Sequence, residues 1–410
     1  MKSGERRVVV TGLGIISALG NKPEAAFERL KKFENCVERI EDLTKYKGLR
    51  SVLGSTIGWV RPAHWTRKTT RSMGPVAEYA LAATEDAIAD AMLDEATVQG
   101  GMTGVAYGSC SGSIAAHLDL FSMFSSSEVN SITSNTYIKL MPQTTACNLS
   151  VHFKTHGRLV PTGTACTSGS LAIGNAYELI KYGVQDVMIA GGAEEFSPTQ
   201  VAVFDTLFAT SLKNNEPKST PRPYDIDRDG LVIGEGAATL ILEEYERAKA
   251  RGAKIYGEVV GFCENTDGTH VTNPNAEMMG ECIKRAIAGS GVAPEEIAFV
   301  NGHGTATKAG DIAETTATYS AFGRPVAITS LKSYTGHTLG ACGAIEALIT
   351  LKCMNAGWVH PTINLLKSDP DCAPLDYITG EGRAIEAKYA MSNNFAFGGV
   401  NTSLIFKNIK

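Results

Sequence analysis

The hydrophobic pattern of the chain alternates between short β-branched runs and longer segments with helical spacing. Runs such as VVVTGLG at 8–14, VMIAGG at 187–192 and TLILEE at 239–244 are typical of buried strands. Apolar side chains recur at helical spacing in segments 73–92, 168–183, 275–291 and 343–357. This alternation predicts an α/β fold with largely parallel sheets. The first run is broken by glycine, so it predicts a strand and a turn and not a signal peptide.

Two of the helical segments lie in matching surroundings. Residues 163–183 and 333–357 each contain a turn with a reactive side chain, a small-residue helix start, an amphipathic helix and a closing glycine. In this comparison His337 stands in the place of Cys166. We therefore predict two related halves, residues 1–255 with the thiol and residues 256–410 with the imidazoles, which bring their turns to a shared central site. The spacing is too long for a solenoid repeat.

Composition and charge narrow the classes of partner. The 410 residues are 43% hydrophobic and 20% charged, with a net charge of −5 and no long basic run, which argues against nucleic acid. No apolar run approaches the ~20 residues of a membrane-spanning helix, so we predict no membrane insertion. Nine scattered cysteines without a CxxC pair argue against disulfides and zinc and favour a reducing cytoplasm.

Cys166 is the candidate nucleophile. It lies among small residues, in GTACTSG, where a strand ends and a helix begins. A helix N-terminus stabilises thiolate, so the position predicts a lowered pKa for this thiol. The small neighbours leave room for an incoming carbonyl group. A buried structural cysteine is the alternative for any single thiol.

Two histidines strengthen the catalytic interpretation. His303 follows a strand in NGHGTATKAGD, and His337 lies at a helix start in SYTGHTLGACG, each beside glycine. Both positions match the setting of Cys166. The other histidines lack this setting, and we interpret them as structural or surface groups: His64, His117, His152, His156, His270 and His360.

These motifs together resemble the β-ketoacyl-acyl carrier protein synthases of the elongating type, decarboxylating condensing enzymes with a Cys-His-His triad. The resemblance runs nearly end to end, through RRVVVTGLGIISALG, GTACTSGS, AGGAEE, NGHGTATKAGD, SLKSYTGHTLGACGAIEA and MSNNFAFGGVNTSLIF. It implies the thiolase-like five-layered αβαβα sandwich. It also implies acyl transfer from acyl carrier protein to Cys166, followed by decarboxylative condensation with a malonyl carrier to give a 3-oxoacyl carrier.

The resemblance assigns roles to individual residues. His303 and His337 would hold the enolate oxygen, and the backbone N–H groups of Cys166 and Phe397 would form the oxyanion hole. Lys332 would lie buried beside the site, paired with Glu314. The remaining residues that the family pattern implies are a supporting network at Asp311, Glu314 and Glu346, phosphopantetheine contacts at Thr305 and Thr307, an acyl pocket at Ser111, Phe395 and Phe397, and carrier docking at Arg67, Lys68 and Arg71.

The same resemblance bears on cofactors and partners. No cofactor is required, because the substrates arrive on the phosphopantetheine arm of acyl carrier protein. A structural Na⁺ or K⁺ is implied near Asn301, Glu346, Ser392 and Asn393. The family pattern also implies a dimer, either a homodimer or a heterodimer with a homologous subunit.

Some positions depart from the family pattern. Lys308 stands where proline is usual, which adds a charge near the carrier entrance, and Ser111 replaces an isoleucine or glycine of the acyl pocket. Residues 125–141 are polar where relatives often carry basic side chains. These departures motivate the hypothesis that the enzyme serves a specialised polyene or polyketide pathway instead of housekeeping fatty acid synthesis.

Other classes fit the motifs less well. A catalytically silent chain-length subunit of a heterodimer typically lacks the nucleophile, whereas Cys166 is present. A thiolase or an acetyl-CoA-starting synthase would have a second cysteine or a His-Asn pair in place of the TGH at 335–337. A cysteine hydrolase would need a water-activating arrangement that the motifs do not show.

Overall fold

The structure is a computed structural model that describes residues 4–409. The strands of this part of the chain are β1 (Val8–Ser17), β2 (Glu38–Arg39), β3 (Leu53–Gly54), β4 (Thr103–Gly108), β5 (Leu159–Thr162), β6 (Val187–Glu194), β7 (Gly236–Glu244), β8 (Gly257–Thr266), β9 (Ile297–Asn301), β10 (Ala327–Thr329), β11 (Trp358–Val359), β12 (Asp376–Tyr377), β13 (Arg383–Ala384), β14 (Tyr389–Ala396) and β15 (Val400–Lys407). The helices are α1 (Pro23–Leu30), α2 (Arg67–Thr70), α3 (Pro75–Asp90), α4 (Glu95–Gln99), α5 (Ile114–Ser126), α6 (Ser134–Leu140), α7 (Thr144–Phe153), α8 (Ser168–Lys181), α9 (Pro198–Thr206), α10 (Tyr245–Ala250), α11 (Ala276–Ser290), α12 (Lys308–Phe322), α13 (Lys332–Thr335) and α14 (Cys342–Ala356).

The sheet topology repeats itself. One half runs in the order β5-β4-β6-β7-β1 and the other in the order β10-β9-β14-β15-β8, with β12 added at the edge. Within each half the first three strands are parallel and the last two are antiparallel. The expectation of largely parallel sheets is therefore correct only for the outer three strands of each half. The halves join where β1 pairs with β8.

Helices cover and separate the two half-sheets. Helices α3 and α7 pack on the outer face of the first, and α11 and α12 pack on the outer face of the second. Helices α8 and α14 lie side by side between the sheets, and nearly every residue of α14 is buried. The predicted five-layered αβαβα arrangement is confirmed, and its central layer starts at the two turns that carry the candidate chemistry.

The glycines of the first strand have a different role from the predicted one. Strand β1 continues through Gly12 and Gly14 to Ser17, so the predicted turn is wrong. A Cβ atom at Gly14 would lie 1.9 Å from the carbonyl oxygen of Ala83, and one at Gly12 would lie 2.2 Å from that of Ala87. Both glycines therefore serve the close packing of β1 against α3.

One helical segment of the described chain, Leu339–Ala356, is long and apolar enough to cross a bilayer. It contains α14, and 83% of it is buried inside the molecule. A helix that is apolar on all sides is also typical of the centre of a large domain. Its hydrophobicity is thus accounted for by the central layer of the sandwich.

Candidate active site

Cys166 lies in the turn between β5 and α8. A 3₁₀ turn, Ala165–Thr167, directly precedes the helix, and Ala165 has a left-handed φ of 50°. The side chain is buried, and the backbone N–H groups of Cys166 and Phe397 lie near enough to its sulfur to favour the thiolate. The predicted oxyanion-hole pair is therefore directed at the sulfur, where negative charge would develop on an attached acyl group.

The second half of the fold contains the same turn. Leu339 has a left-handed φ of 47°, a 3₁₀ turn spans Leu339–Ala341, and α14 begins at Cys342. The structural counterpart of Cys166 is therefore Gly340, and the predicted equivalence with His337 is wrong by three residues. His337 lies just before this turn, and its Nε2 is 3.0 Å from the Cys166 sulfur.

Hydrogen bonds define the protonation of both imidazoles. The backbone N–H of Leu339 donates to Nδ1 of His337 at 3.3 Å. At His303, Nδ1 faces the Lys332 ammonium at 3.1 Å and the Asn394 amide nitrogen at 3.3 Å. A neutral imidazole that accepts at Nδ1 carries its proton on Nε2. Both rings, with centroids 5.2 Å apart, are therefore hydrogen-bond donors at Nε2.

The arrangement has the residue types of a metal site. The ligating atoms of Cys166, His303 and His337 lie within 4.8 Å of one another, as do those of His303, Cys342 and Glu346. Zinc needs an imidazole lone pair. Because Nδ1 of each ring already accepts hydrogen bonds, Nε2 offers a proton instead. This cluster therefore suits an anionic oxygen better than a cation.

Lys332 is buried beside His303, but its partner differs from the predicted one. Its ammonium pairs with Glu346, whose second oxygen accepts a hydrogen bond from Asn394 at 2.6 Å. Glu314 instead accepts the backbone N–H groups of His303 and Gly304, at 2.5 and 2.6 Å. The predicted Lys332–Glu314 pair is therefore wrong, because Glu314 holds the backbone of the histidine turn.

Burial dominates the ionisation of the site. It raises the pKa of the Cys166 thiol to about 11, although the Lys332 charge and the two backbone N–H groups oppose the shift. The expected low pKa of a thiol at a helix start is therefore wrong for Cys166. Burial, followed by the Lys332 charge, lowers the pKa of His303 and His337 well below the usual value. Burial also disfavours the charged form of Lys332, but Glu346 reverses this, and its pKa lies above the usual value.

We expect the alkylation rate of Cys166 by iodoacetamide to rise about tenfold per pH unit from neutral pH, without a plateau below about pH 10, because only the thiolate reacts. The rate rises with pH because the pKa of Cys166, about 11, lies above this range and the thiolate fraction grows with each unit. The measurement is alkylation of the Cys166 peptide followed by mass spectrometry, with the half-buried Cys147 as an internal reference. A plateau near neutral pH would show that the thiolate is already formed.

A cavity of about 440 Å³ leads to these groups. Its lining includes Cys166, His303, His337, Phe395 and Phe397. Phe395 meets the His303 ring edge-on at 6.2 Å, and Phe397 stacks on Phe204 at 5.2 Å. The structure thus brings the predicted triad and both aromatic residues to one opening.

The remaining predicted substrate contacts fall in different places. Thr305 and Thr307 line the cavity with their hydroxyl oxygens 2.9 Å apart, but Ala306 between them has a left-handed φ of 64°. The two hydroxyl groups therefore meet across a turn and not along an extended strand. Ser111 lies outside the cavity lining, and its hydroxyl accepts a hydrogen bond from the Gln200 amide at 3.5 Å.

The predicted docking residues lie apart from the cavity. Arg67, Lys68 and Arg71 are exposed on and next to α2, and within the described chain none of them forms an ion pair or lines the opening. Asp311 is fully buried and accepts the backbone N–H groups of Tyr224 and Ala306. Asp311 therefore supports the loop behind His303 and does not reach the cavity.

The predicted cation site contains unsatisfied oxygen atoms. Asn301 and Ser392 are register partners in β9 and β14, and among the described residues their buried side-chain polar atoms have no hydrogen-bond partner. Both oxygens suit a monovalent cation. The side-chain oxygen of Asn393 already accepts from Ser403 at 2.7 Å, and Glu346 holds Lys332 and Asn394. Asn301 and Ser392 are therefore suited to bind a monovalent cation, whereas Asn393 and Glu346 are less suited to it.

The sequence prediction missed two buried polar residues. Asn394 links Glu346 to His303, and it stands in the NNF motif beside the predicted Asn393. Arg228 is buried, pairs with Asp369 at 2.6 Å, and donates to the backbone carbonyls of Thr307 and Lys308. Because side chains alternate between the two faces of a strand, the sequence could have indicated that Asn393 and Asn394 face opposite sides of β14. Only the fold brings Arg228 to the loop that follows His303.

Comparisons with known proteins agree with this geometry. The family profile described as "Beta-ketoacyl synthase, N-terminal domain" matches residues 5–248, and that described as "Beta-ketoacyl synthase, C-terminal domain" matches residues 256–366. The chain is 38% identical to a protein of Vibrio cholerae serotype O1 named 3-oxoacyl-[acyl-carrier-protein] synthase 2, over 98% of this chain and 99% of that one.

Solved structures show the same similarity. A β-ketoacyl synthase from Burkholderia phymatum STM815 is 52% identical, with a TM-score of 0.97 over 99% of this chain and all of that one. A second similar structure is the type II polyketide ketosynthase AntDE in complex with the acyl carrier protein AntF. It is 30% identical, with a TM-score of 0.89 over 99% of this chain and all of that one.

Proposed function

Because this chain belongs to the β-ketoacyl synthase family, and so is a condensing acyltransferase, we propose that Cys166 accepts the acyl group and that His303 and His337 stabilise the enolate of the extender. One observation carries the proposal. The Nε2 proton of His337 points at the Cys166 sulfur from 3.0 Å, and both imidazoles line the cavity that leads to it. Acyl transfer and enolate stabilisation then occur within one opening.

Acyl transfer begins with Cys166. The sulfur attacks the thioester carbonyl of the acyl carrier, the C–S bond to the arm breaks, and the arm leaves as a thiol. Because the pKa of Cys166 is about 11, the proton must leave as the carbonyl binds. The N–H groups of Cys166 and Phe397 then bind the oxyanion of the tetrahedral intermediate.

Condensation follows in the same cavity. Loss of carbon dioxide from the malonyl thioester leaves an enolate, whose oxygen receives the Nε2 protons of His303 and His337. Two such donors contribute about 3–4 kcal/mol each to a developing oxyanion. The enolate carbon attacks the acyl-Cys166 carbonyl, the sulfur departs, and the 3-oxoacyl carrier forms. Lys332 keeps His303 in the required tautomer, because it occupies Nδ1.

The test is reconstitution. Purified protein mixed with an acyl carrier and a malonyl carrier is expected to release carbon dioxide and form a 3-oxoacyl carrier, with an acyl adduct on the Cys166 peptide. The assembled triad disfavours the alternative of a silent chain-length subunit. That alternative would gain support if no adduct formed on Cys166 while a homologous subunit added to the mixture became acylated.

For the acyl chain of the substrate we propose one that is rigid or unsaturated, as in polyene or polyketide assembly. Its support is a polar pair outside the described cavity lining, where the Ser111 hydroxyl accepts a hydrogen bond from the Gln200 amide at a position that has isoleucine or glycine in the family pattern. The test compares condensation rates on saturated and polyene acyl carriers of equal length. Equal or faster rates on saturated chains would contradict a specialised pathway.

The partner of the proposed reaction is an acyl carrier protein, whose acidic surface would meet basic side chains at the cavity and at Arg67, Lys68 and Arg71. Lys308 belongs to the cavity lining itself. Arg228 holds the carbonyl of Lys308 at 3.1 Å, which fixes the position of its backbone. Within the described chain Lys308 forms no ion pair, and its side chain is exposed. We therefore place an anion of the carrier-borne substrate beside Lys308.

Replacing Lys308 with methionine is expected to raise the KM for acyl carrier about two- to fivefold, with kcat unchanged, because one exposed charge pair is lost. Acyl-phosphopantetheine and acyl-pantetheine distinguish the sources of the anion. A KM change with the first but not the second identifies the phosphate of the arm, and a change with the carrier alone identifies a carboxylate of the protein. Lys32→Met, at an exposed position outside both the cavity lining and the predicted docking residues, is the matched control. An unchanged KM with all three substrates would contradict this role of Lys308.

We also propose a dimer, a structural cation and a cytoplasmic location. Helix α5 exposes Leu118, Phe121 and Phe124, each more than half exposed, and this apolar surface suits a homologous subunit. Asn301 and Ser392 would hold Na⁺ or K⁺, which supplies charge to their unsatisfied oxygens and takes no part in the reaction. Cysteines without disulfides fit a reducing compartment.

A further inference from the structure

Two cysteines outside the active site lie against each other between β8 and α11. The Cys282 thiol donates a hydrogen bond to the carbonyl oxygen of Cys263, with the sulfur 3.4 Å from that oxygen. Gly261 lies two residues earlier on the same face of β8, where a Cβ atom would be 2.9 Å from the carbonyl of Ala286. The strand and helix are therefore close enough for a short covalent link.

The two thiols differ in accessibility and acidity. Cys282 is fully buried, whereas Cys263 is half-buried and its sulfur lies near solvent, 3.6 Å from the carbonyl oxygen of Glu264. The adjacent Cys282 thiol lowers the pKa of Cys263 against the opposing effect of burial, and Arg285 adds to the lowering. The proximity of Cys263, together with burial, raises the pKa of Cys282. This asymmetry is typical of an attacking thiolate beside a resolving thiol.

We propose that Cys263 and Cys282 form a reversible disulfide when the protein meets a hydroperoxide. The Cys263 thiolate attacks the peroxide, the O–O bond breaks, and Cys263 becomes a sulfenic acid while the peroxide becomes an alcohol or water. The Cys282 sulfur then attacks the sulfenic sulfur, and water leaves with the Cys282 proton. A cellular thiol returns both side chains to the reduced form that the structure shows.

The disulfide would close a ring of chain that forms part of the cavity wall. The segment from 264 to 281 contains cavity-lining residues, among them Val271. The carbonyl of Val271 accepts the N–H of Gly398 at 2.7 Å, and the N–H of Asp267 donates to Gly399 at 2.7 Å. Both glycines directly follow Phe397, whose N–H reaches the Cys166 sulfur. A cross-link here restricts the wall that supports the oxyanion donor.

The test is mass spectrometry after treatment of the whole protein with stoichiometric hydrogen peroxide. Both cysteines fall in one tryptic peptide, Ile255–Lys284. We expect this peptide to lose the mass of two hydrogen atoms and to resist alkylation. Dithiothreitol is expected to restore the original mass and the reaction with the alkylating reagent. We further expect amide exchange in 267–275 to slow several-fold in the oxidised protein.

Cys263→Ser is expected to abolish the mass loss, and Cys147→Ser is the control that should retain it. If Cys263→Ser does not fold, the peptide map of the wild-type protein alone tests whether the disulfide forms. Cleavage after Glu264 and Glu277 then shows whether the two halves of the peptide remain joined. Alkylation of both cysteines after peroxide, or unchanged exchange in 267–275 of the cross-linked protein, would overturn the proposal. Neither outcome depends on the condensing activity.

Discussion

Replacing Cys166 with serine is expected to lower condensation by about 10⁴-fold or more while malonyl decarboxylation continues. A hydroxyl is a far weaker nucleophile than a thiol and needs a base to remove its proton. His337 cannot serve as that base in its resting state, because Nδ1 accepts from Leu339 and Nε2 already carries a proton. The proposed enolate donors, His303 and His337, remain in place in the variant, so we expect decarboxylation to continue.

The measurement separates the two steps. Carbon dioxide release from a malonyl carrier reports decarboxylation, and mass spectrometry of the carrier reports the 3-oxoacyl product. Cys110→Ser is a matched control, because this thiol is close enough to Cys166 to share its electrostatic environment but lies outside the cavity lining. Condensation that survives in Cys166→Ser, or decarboxylation that disappears with it, would contradict the assigned roles.

His303 variants are expected to lose decarboxylation by about 10²–10³-fold while self-acylation of Cys166 is retained. The reason is geometric, because His337 contacts the sulfur whereas His303 is tied by Nδ1 to Lys332 and Asn394. Its pKa lies well below the usual value, so the neutral ring still donates from Nε2 under mildly acidic conditions. Decarboxylation should therefore show no loss on titration near the ordinary histidine pKa.

Two variants form a matched pair for this prediction. His303→Gln can place an amide N–H near the position of Nε2, whereas His303→Asn keeps an acceptor for Lys332 but lacks the outer donor. We expect the glutamine variant to decarboxylate about tenfold faster than the asparagine variant. Equal losses in both variants, or a parallel loss of acyl adduct on Cys166, would show that His303 acts on the nucleophile instead.

Much of the fold was predictable from local pattern. The strands at 103–108, 187–194 and 236–244 and the helices at 75–90, 168–181 and 342–356 follow hydrophobic periodicity closely. The error at Gly12 and Gly14 has a clear reason. Glycine marks a turn when it supplies positive φ, but in β1 it makes room for the backbone of α3, a contact that only packing creates.

The candidate site, like the fold, has parts that local motifs predict and parts that depend on packing. Cys166, His303 and His337 stand in motifs whose residue types reveal the chemistry, and the structure brings all three within 4.8 Å. The prediction that Lys332 pairs with Glu314 was wrong, because the choice between Glu314 and Glu346 depends on how α12 and α14 pack around His303. Asn394 was missed because the motif does not show which asparagine faces the site.

The sequence by itself determined the order of strands and helices, the doubled plan of the chain and the choice of Cys166, His303 and His337 as candidates, because these depend on residue type and short-range spacing. Only the tertiary structure decided the pKa of Cys166, the proton positions on both rings, the partner of Lys332 and the contact between Cys263 and Cys282. Those properties depend on burial and on distances between segments far apart in the chain, which no local pattern encodes.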